Sequence, residues 1–177
     1  MDPQEKLKPD CTSCAALCCV VFAFDKSESF GIDKDACEVC PNLDATDRCS
    51  IFDKREDLGF RGCVSYDCHG AGQRVTNEVF KGIGWRQDPA LKEQMGSALS
   101  VLRRIHEMLL LLDSAKTFPL HDREMLELET LRSILDPETA WTEKALEEFP
   151  MLATNKRVSD FLRSLQHHVT ARPTART

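Results

Sequence analysis

Asp88-Pro-Ala-Leu-Lys-Glu-Gln-Met-Gly-Ser-Ala-Leu-Ser-Val-Leu-Arg-Arg-Ile-His-Glu-Met-Leu-Leu-Leu-Leu-Asp113 places Leu91, Met95, Ala98, Leu99, Leu102, Ile105, Leu109 and Leu112 at three- and four-residue steps. That period predicts one long amphipathic helix, with about seven turns at 3.6 residues per turn. Pro89 suits its first turn, where the amides have no partners anyway. Toward the C-terminus, a second helix is predicted to begin near residues 117–121 and to bury Met125, Leu128, Leu131 and Leu135. Asp136-Pro137-Glu138 reads as an N-cap with proline at N1, opening a third helix that includes Trp141 and Leu146 and stops before Pro150. Thr154 is predicted to cap a fourth, burying Val158, Phe161, Leu162 and Leu165. Residues 88–169 are therefore expected to form a small helical bundle, followed by a disordered tail at 170–177.

In the other direction the composition changes. All nine cysteines precede residue 70: Cys11, Cys14, Cys18, Cys19, Cys37, Cys40, Cys49, Cys63 and Cys68. The segments between them are short and turn-like, and the run from Cys19 to Phe24 fits either a buried strand or a core-facing helix. The expectation is a mostly α protein: a flexible leader over 1–10, an irregular, metal-stapled cysteine-rich unit over 11–87, and the bundle packed against it. No internal repeat is visible.

Thiols this close together form disulfides, hold a metal, do redox chemistry or lie buried and inert. Residues 1–10 have no apolar h-region and no small-residue cleavage site, which makes a reducing cytoplasm the expected setting. There, metal is the favoured explanation. A Cys-x-x-Cys pair such as Cys11 and Cys14 turns both sulfurs toward one ion. Adjacent cysteines do not do this without strain, so one of Cys18 and Cys19 is expected to join Cys11 and Cys14, leaving the other for a second site or the core. The expected ligands are Cys11, Cys14, Cys18, Cys19, Cys40, Cys49, Cys63 and Cys68, with Cys37 spare. Eight thiolates divide into two four-coordinate sites, or one cluster and one ion. All-thiolate sites suit zinc, iron–sulfur clusters and Cu(I), with zinc slightly favoured.

The net charge of −6 and pI near 5.4 disfavour binding to nucleic acid or to anionic membranes. No apolar run reaches the roughly 20 residues needed to span a bilayer.

The order Cys11-x-x-Cys14-x-x-x-Cys18-Cys19, then Cys40-Pro-Asn-Leu43, Cys49-Ser-Ile-Phe52 and the closing pair Cys63 and Cys68 resembles the CxxCxxCC cysteine-cluster family (YkgJ-like), described as a zinc- or iron-chelating domain. Gly62-Cys-Val-Ser-Tyr-Asp-Cys68-His-Gly-Ala-Gly-Gln-Arg-Val-Thr76 is similar to a segment at the start of bacterial pentapeptide-repeat proteins. The resemblance covers residues 11–86 and extends to flagellin lysine methylases, which are linked to iron–sulfur chemistry. It implies a metal-chelating unit without fixing an activity. This chain departs from the pattern in having three residues before the double cysteine, the extra Cys37, and Lys54-Arg55-Glu56 where the family has arginine-proline. No pentapeptide repeat follows, and residues 88–177 carry no Gly-rich nucleotide-binding loop.

Secondary candidates have ordinary readings. His69 is read as a polar residue at the edge of the cysteine site, the 70–74 loop as a close-packed turn rather than an anion site, and His167-His168 as a complement to a helix C-terminus. Glu124, Glu127 and Glu138 are read as a solvated face, and Trp85 and Trp141 as core anchors. No nucleophile–base–orienter set stands out. The expected function is a metal-binding structural or interaction module with a protein partner or homodimer contact through the helical half. Alternatives are an iron–sulfur protein with a redox or accessory role, and a zinc or copper handling protein.

Overall fold

The computed structural model describes residues 5–170. Its helices are α1 (Leu17–Val21), α2 (Arg61–Ser65), α3 (Ala71–Arg74, continuing as a π turn over Val75–Val79), α4 (Lys92–Ala115), α5 (Asp122–Leu135), α6 (Glu143–Glu147), α7 (Met151–Ser164) and α8 (Gln166–Thr170). Among the described residues there is no strand, only the isolated bridges Phe24–Lys34 and Leu43–Cys49. The protein is mostly α, as its periodicity predicts.

The long helix α4 is the axis. The Asp88 carboxylate accepts from the Ala90 amide and Pro89 opens a 3-10 turn that leads into it. Met95, Ala98, Leu99, Leu102, Ile105, Leu109 and Leu112 are all buried, and α4 touches α1, α3, α5, α6 and α7. Gly96 lets α1 approach closely, since a Cβ there would lie 3.2 Å from Val21 Cβ. The core is continuous across residue 88: Leu17, Val20, Ala71, Val75 and Trp85 share one apolar cluster with Leu128, Leu146 and Phe161. Full burial of each such side chain contributes about 1.5–3 kcal/mol.

Four expectations need correction. From Glu5 onward the leader is docked: Leu7 is buried, Lys6 pairs with Asp136 at 3.1 Å, and Gln73 Nε2 donates to the Lys8 carbonyl. Its first four residues, and the tail beyond Thr170, lie outside the described residues. Asp136 does not cap a helix; its carboxylate is committed to Lys6 and, at 3.2 Å, to Arg74. The third helix starts later, where Thr142 Oγ1 accepts from the Ala145 amide. Thr154 lies inside α7, which begins after Pro150, while its predicted partners Val158, Phe161 and Leu165 are buried. Met125 is exposed, because the inward row of α5 runs Glu124, Leu128, Leu131, Leu135 and its first turn gives the inner position to Glu124.

Candidate metal centre

Three chain segments carry the nine cysteines, and among the described residues no three of their sulfurs lie within 4.8 Å of one another. In the first, the Asp10 carboxylate accepts from the Thr12 amide at 2.8 Å and the Ser13 hydroxyl at 2.6 Å, which folds Cys11–Ser13 into a 3-10 turn. The Ser13 and Thr12 hydrogen bonds hold the Asp10 carboxyl down at about 2. Ala16, in the left-handed region at φ 51°, then redirects the chain into α1, whose second and third residues are Cys18 and Cys19. Successive helical residues diverge by about 100°, so these two sulfurs serve different directions.

The third segment supplies Cys63 from α2 and Cys68 just before α3. Gly72 in α3 lies between Cys14 and Cys68: a Cβ there would stand 2.8 Å from Cys14 Sγ and 3.9 Å from Cys68 Sγ. The Gly72 and Gly70 amides donate toward the Cys68 sulfur and the Leu17 amide toward that of Cys14, while the Thr76 hydroxyl donates to the Gly72 carbonyl at 3.0 Å. In the middle segment the Cys40 amide donates to the Cys19 carbonyl at 2.9 Å, and Leu43 bridges to Cys49. Arg48 Nη1 reaches back to the Cys11 carbonyl at 2.7 Å and Arg55 Nη1 to the Cys63 carbonyl at 3.1 Å.

The mutual influence of the thiols sorts them. Cys18 acts on Cys11, Cys14, Cys63 and Cys68, whereas Cys40 and Cys49 act on Cys63. Burial first, then neighbouring thiols, pushes Cys63 up to about 11; burial likewise takes Cys14 to about 11. Cys18 is raised by its contact with Cys19 and then by burial. A reactive nucleophilic cysteine needs a lowered pKa, the opposite of the direction found for Cys11, Cys14, Cys18, Cys63 and Cys68. All nine cysteines are free of disulfides.

Positively charged groups stand near these sulfurs, Arg48 by Cys11 and Arg55 by Cys63. Lys34, which sequence reasoning missed, is buried, with Nζ donating to the carbonyls of Val20, Asp35 and Glu38 at 2.8–3.1 Å. Burial lowers its pKa, while Cys40, Cys19 and Cys37 act to raise it. The only sequence hint was a lysine beside Asp33 and Asp35 in a turn. Tyr66, packed edge-on against Phe22, has a buried hydroxyl with no hydrogen-bond partner. Burial, then Cys18 and Cys68, raises its pKa, so it remains a neutral O–H donor. Cys37 takes the left-handed region at φ 61°, and its amide donates to Val21 at 3.4 Å. His69, at φ 50°, has its ring 3.3 Å from Asp67, and its carbonyl accepts from His106 Nδ1.

A second cluster lies at the far end of the bundle. His121, Glu124 and His167 bring three ligand atoms within 4.8 Å of one another. The Glu124 carboxyl is held below the usual carboxylate range by the His121 amide and then by His168. This corrects the solvated-face reading of Glu124, while His167 and His168 do lie at a helix end, with His167 Nδ1 on the carbonyl of the last α7 residue, Ser164. The signal was present in the sequence as His121-x-x-Glu124 at the start of a helix.

The fold defines a mostly helical protein whose nine cysteines, all free, lie between residues 11 and 68. Over 124 residues, 70% of the chain, it is 38% identical to the uncharacterized protein YybG of Bacillus subtilis (strain 168). The chain spans only 44% of the length of that relative. No family model matches the chain, and no solved structure matches it. Among the described residues no helix is long and apolar enough to cross a membrane.

Proposed function

We propose that this chain is a metal-binding protein in which Cys11, Cys14, Cys18, Cys19, Cys40, Cys49, Cys63 and Cys68 hold zinc or an iron–sulfur cluster, and that the loaded unit serves as a structural and interaction module. One observation carries the reading: Cys11, Cys14, Cys63 and Cys68 gather around Cys18 in an environment that raises the pKa values of all five. Without a cation, those five thiols stay protonated at neutral pH. A divalent ion reverses the balance, because coordinated thiols deprotonate. The all-sulfur donor set selects a soft or borderline metal, with zinc favoured. The amides directed at the Cys68 sulfur favour the iron–sulfur alternative, since hydrogen bonds to sulfur tune such clusters.

The resemblance to the cysteine-cluster family points the same way, and a reducing cytoplasm is the compartment that suits nine free thiols. Leu126 and Leu152, 66% and 87% exposed on α5 and α7, support a protein contact through the helical half.

Cys18→Ser is expected to remove most of the bound metal and to lower the melting temperature by more than 10 °C, whereas Cys37→Ser leaves both nearly unchanged. Metal content by plasma mass spectrometry and melting by circular dichroism read the difference. Equal losses in the two variants would sink the assignment of Cys18 as the central ligand and Cys37 as the spare.

A further inference from the structure

We propose that His121, Glu124 and His167 form a second metal site, of imidazole–carboxylate chemistry, that takes a borderline divalent transition ion such as zinc. The site is separate from the cysteine cluster in sequence and in ligand type. His121 is the N-cap of α5, Glu124 lies in its first turn, and His167 lies in α8, so packing of the last helix against the start of α5 assembles the set.

The groups are positioned like ligands and the residues that orient them. Glu124 Oε2 accepts from the His121 amide at 2.8 Å and is 3.0 Å from His168 Nε2. Oε1 is left facing His167 Nε2 at 3.4 Å. His167 Nδ1 is 2.9 Å from the Ser164 carbonyl, to which it donates, so in the neutral ring the lone pair is on Nε2 and points at a carboxylate oxygen. A lone pair facing an anionic oxygen is repulsive unless a cation lies between them. A carbonyl-anchored imidazole is also the arrangement typical of metal-bound histidine, in which the second ring nitrogen fixes the tautomer. The rings of His121 and His167 are nearly parallel, at 3° with centroids 6.3 Å apart.

His168 completes the wall. Its side chain is 6% exposed and stacks on Phe118 at 6.1 Å, holding the Glu124 carboxylate in place. The Glu124 side chain is 17% exposed and that of His167 is 52% exposed, so one side of the triad opens to solvent. Two imidazoles and one carboxylate with an open face match the donor set of three-ligand zinc sites, in which water takes the fourth position.

A proton on His167 is the competing occupant of the same gap, and long-range 1H–15N spectra of the histidine rings in the protein as purified separate the two. Adding one equivalent of zinc is expected to move a ring nitrogen of His121 and Nε2 of His167 to metal-bound shifts while His69 and His106 stay in place. Glu124→Gln is expected to weaken this response at least tenfold, His167→Ala to abolish it, and His168→Ala to leave a weakened response. Unchanged His121 and His167 signals in excess zinc, or equal movement of all five histidines, would overturn the proposal. Because the readout is imidazole nitrogen, it is independent of whether the cysteines hold metal, and unchanged helicity by circular dichroism confirms that the variants fold.

Discussion

Gly72 is the residue on which Cys14 and Cys68 converge, and a side chain there runs into the Cys14 sulfur. A methyl group 2.8 Å from Cys14 Sγ must displace that sulfur or tilt α3. Overpacking of this kind costs about 1–3 kcal/mol. Gly72→Ala is therefore expected to lower the melting temperature and to reduce bound metal together, as read by calorimetry and elemental analysis of the same sample. Loss of stability with full metal retention would show that Gly72 serves packing alone. Lys34 acts at the same scale through charge: three carbonyls satisfy its ammonium, and it places a buried cation among Cys19, Cys37 and Cys40.

At the level of elements, His106 links α4 to the cysteine loops. It is fully buried on the long helix, donates from Nδ1 to the His69 carbonyl next to Cys68, and accepts at Nε2 from Arg74 Nη1 at 3.2 Å. Burial, with the Arg74 charge, pushes its pKa down to about 4 from 6.5, against the opposing pull of the His69 carbonyl, Asp136 and Glu78. The unfolded chain then binds more protons between about pH 6.5 and pH 4, so stability falls as pH falls through that window. The loss is at most about 3 kcal/mol, from about 1.4 kcal/mol per pKa unit. His106→Gln keeps a donor and an acceptor without a titrating ring and is expected to flatten the melting temperature between pH 6.5 and 4.5. An equally steep decline in the variant would place the acid sensitivity elsewhere.

The same helix shows what a sequence makes legible. The apolar face of α4 was readable because burial imposes a period, and Leu128, Leu131 and Leu135 of α5 followed the same rule. His106 was not readable, since a polar residue on an apolar face gives no hint of partners in distant loops. The start of the third helix was missed because Asp136-Pro137 carries a strong local capping signal that long-range pairing with Lys6 and Arg74 overrides. Cysteine spacing made the metal reading possible, whereas the gathering around Cys18 and the buried Lys34 depend on contacts made only after folding. His121-x-x-Glu124 was visible, but its partners lie more than 40 residues away.

On the scale of the whole molecule, cysteine loops and bundle share one core. Leu7, Leu17, Val20 and Val75 pack in the same apolar cluster as Leu99, Leu128 and Phe161. If metal organises the loops, its removal therefore reaches the bundle as well, since α1 and α3 both lean on α4. The most direct measurement is elemental analysis with an absorption spectrum of protein purified without oxygen, followed by thermal melting with and without a strong chelator. The account predicts at least one zinc, or iron with matching sulfide and visible absorbance, per chain, and a large drop in melting temperature on chelation. Metal-free protein that melts at the same temperature with and without chelator would contradict it.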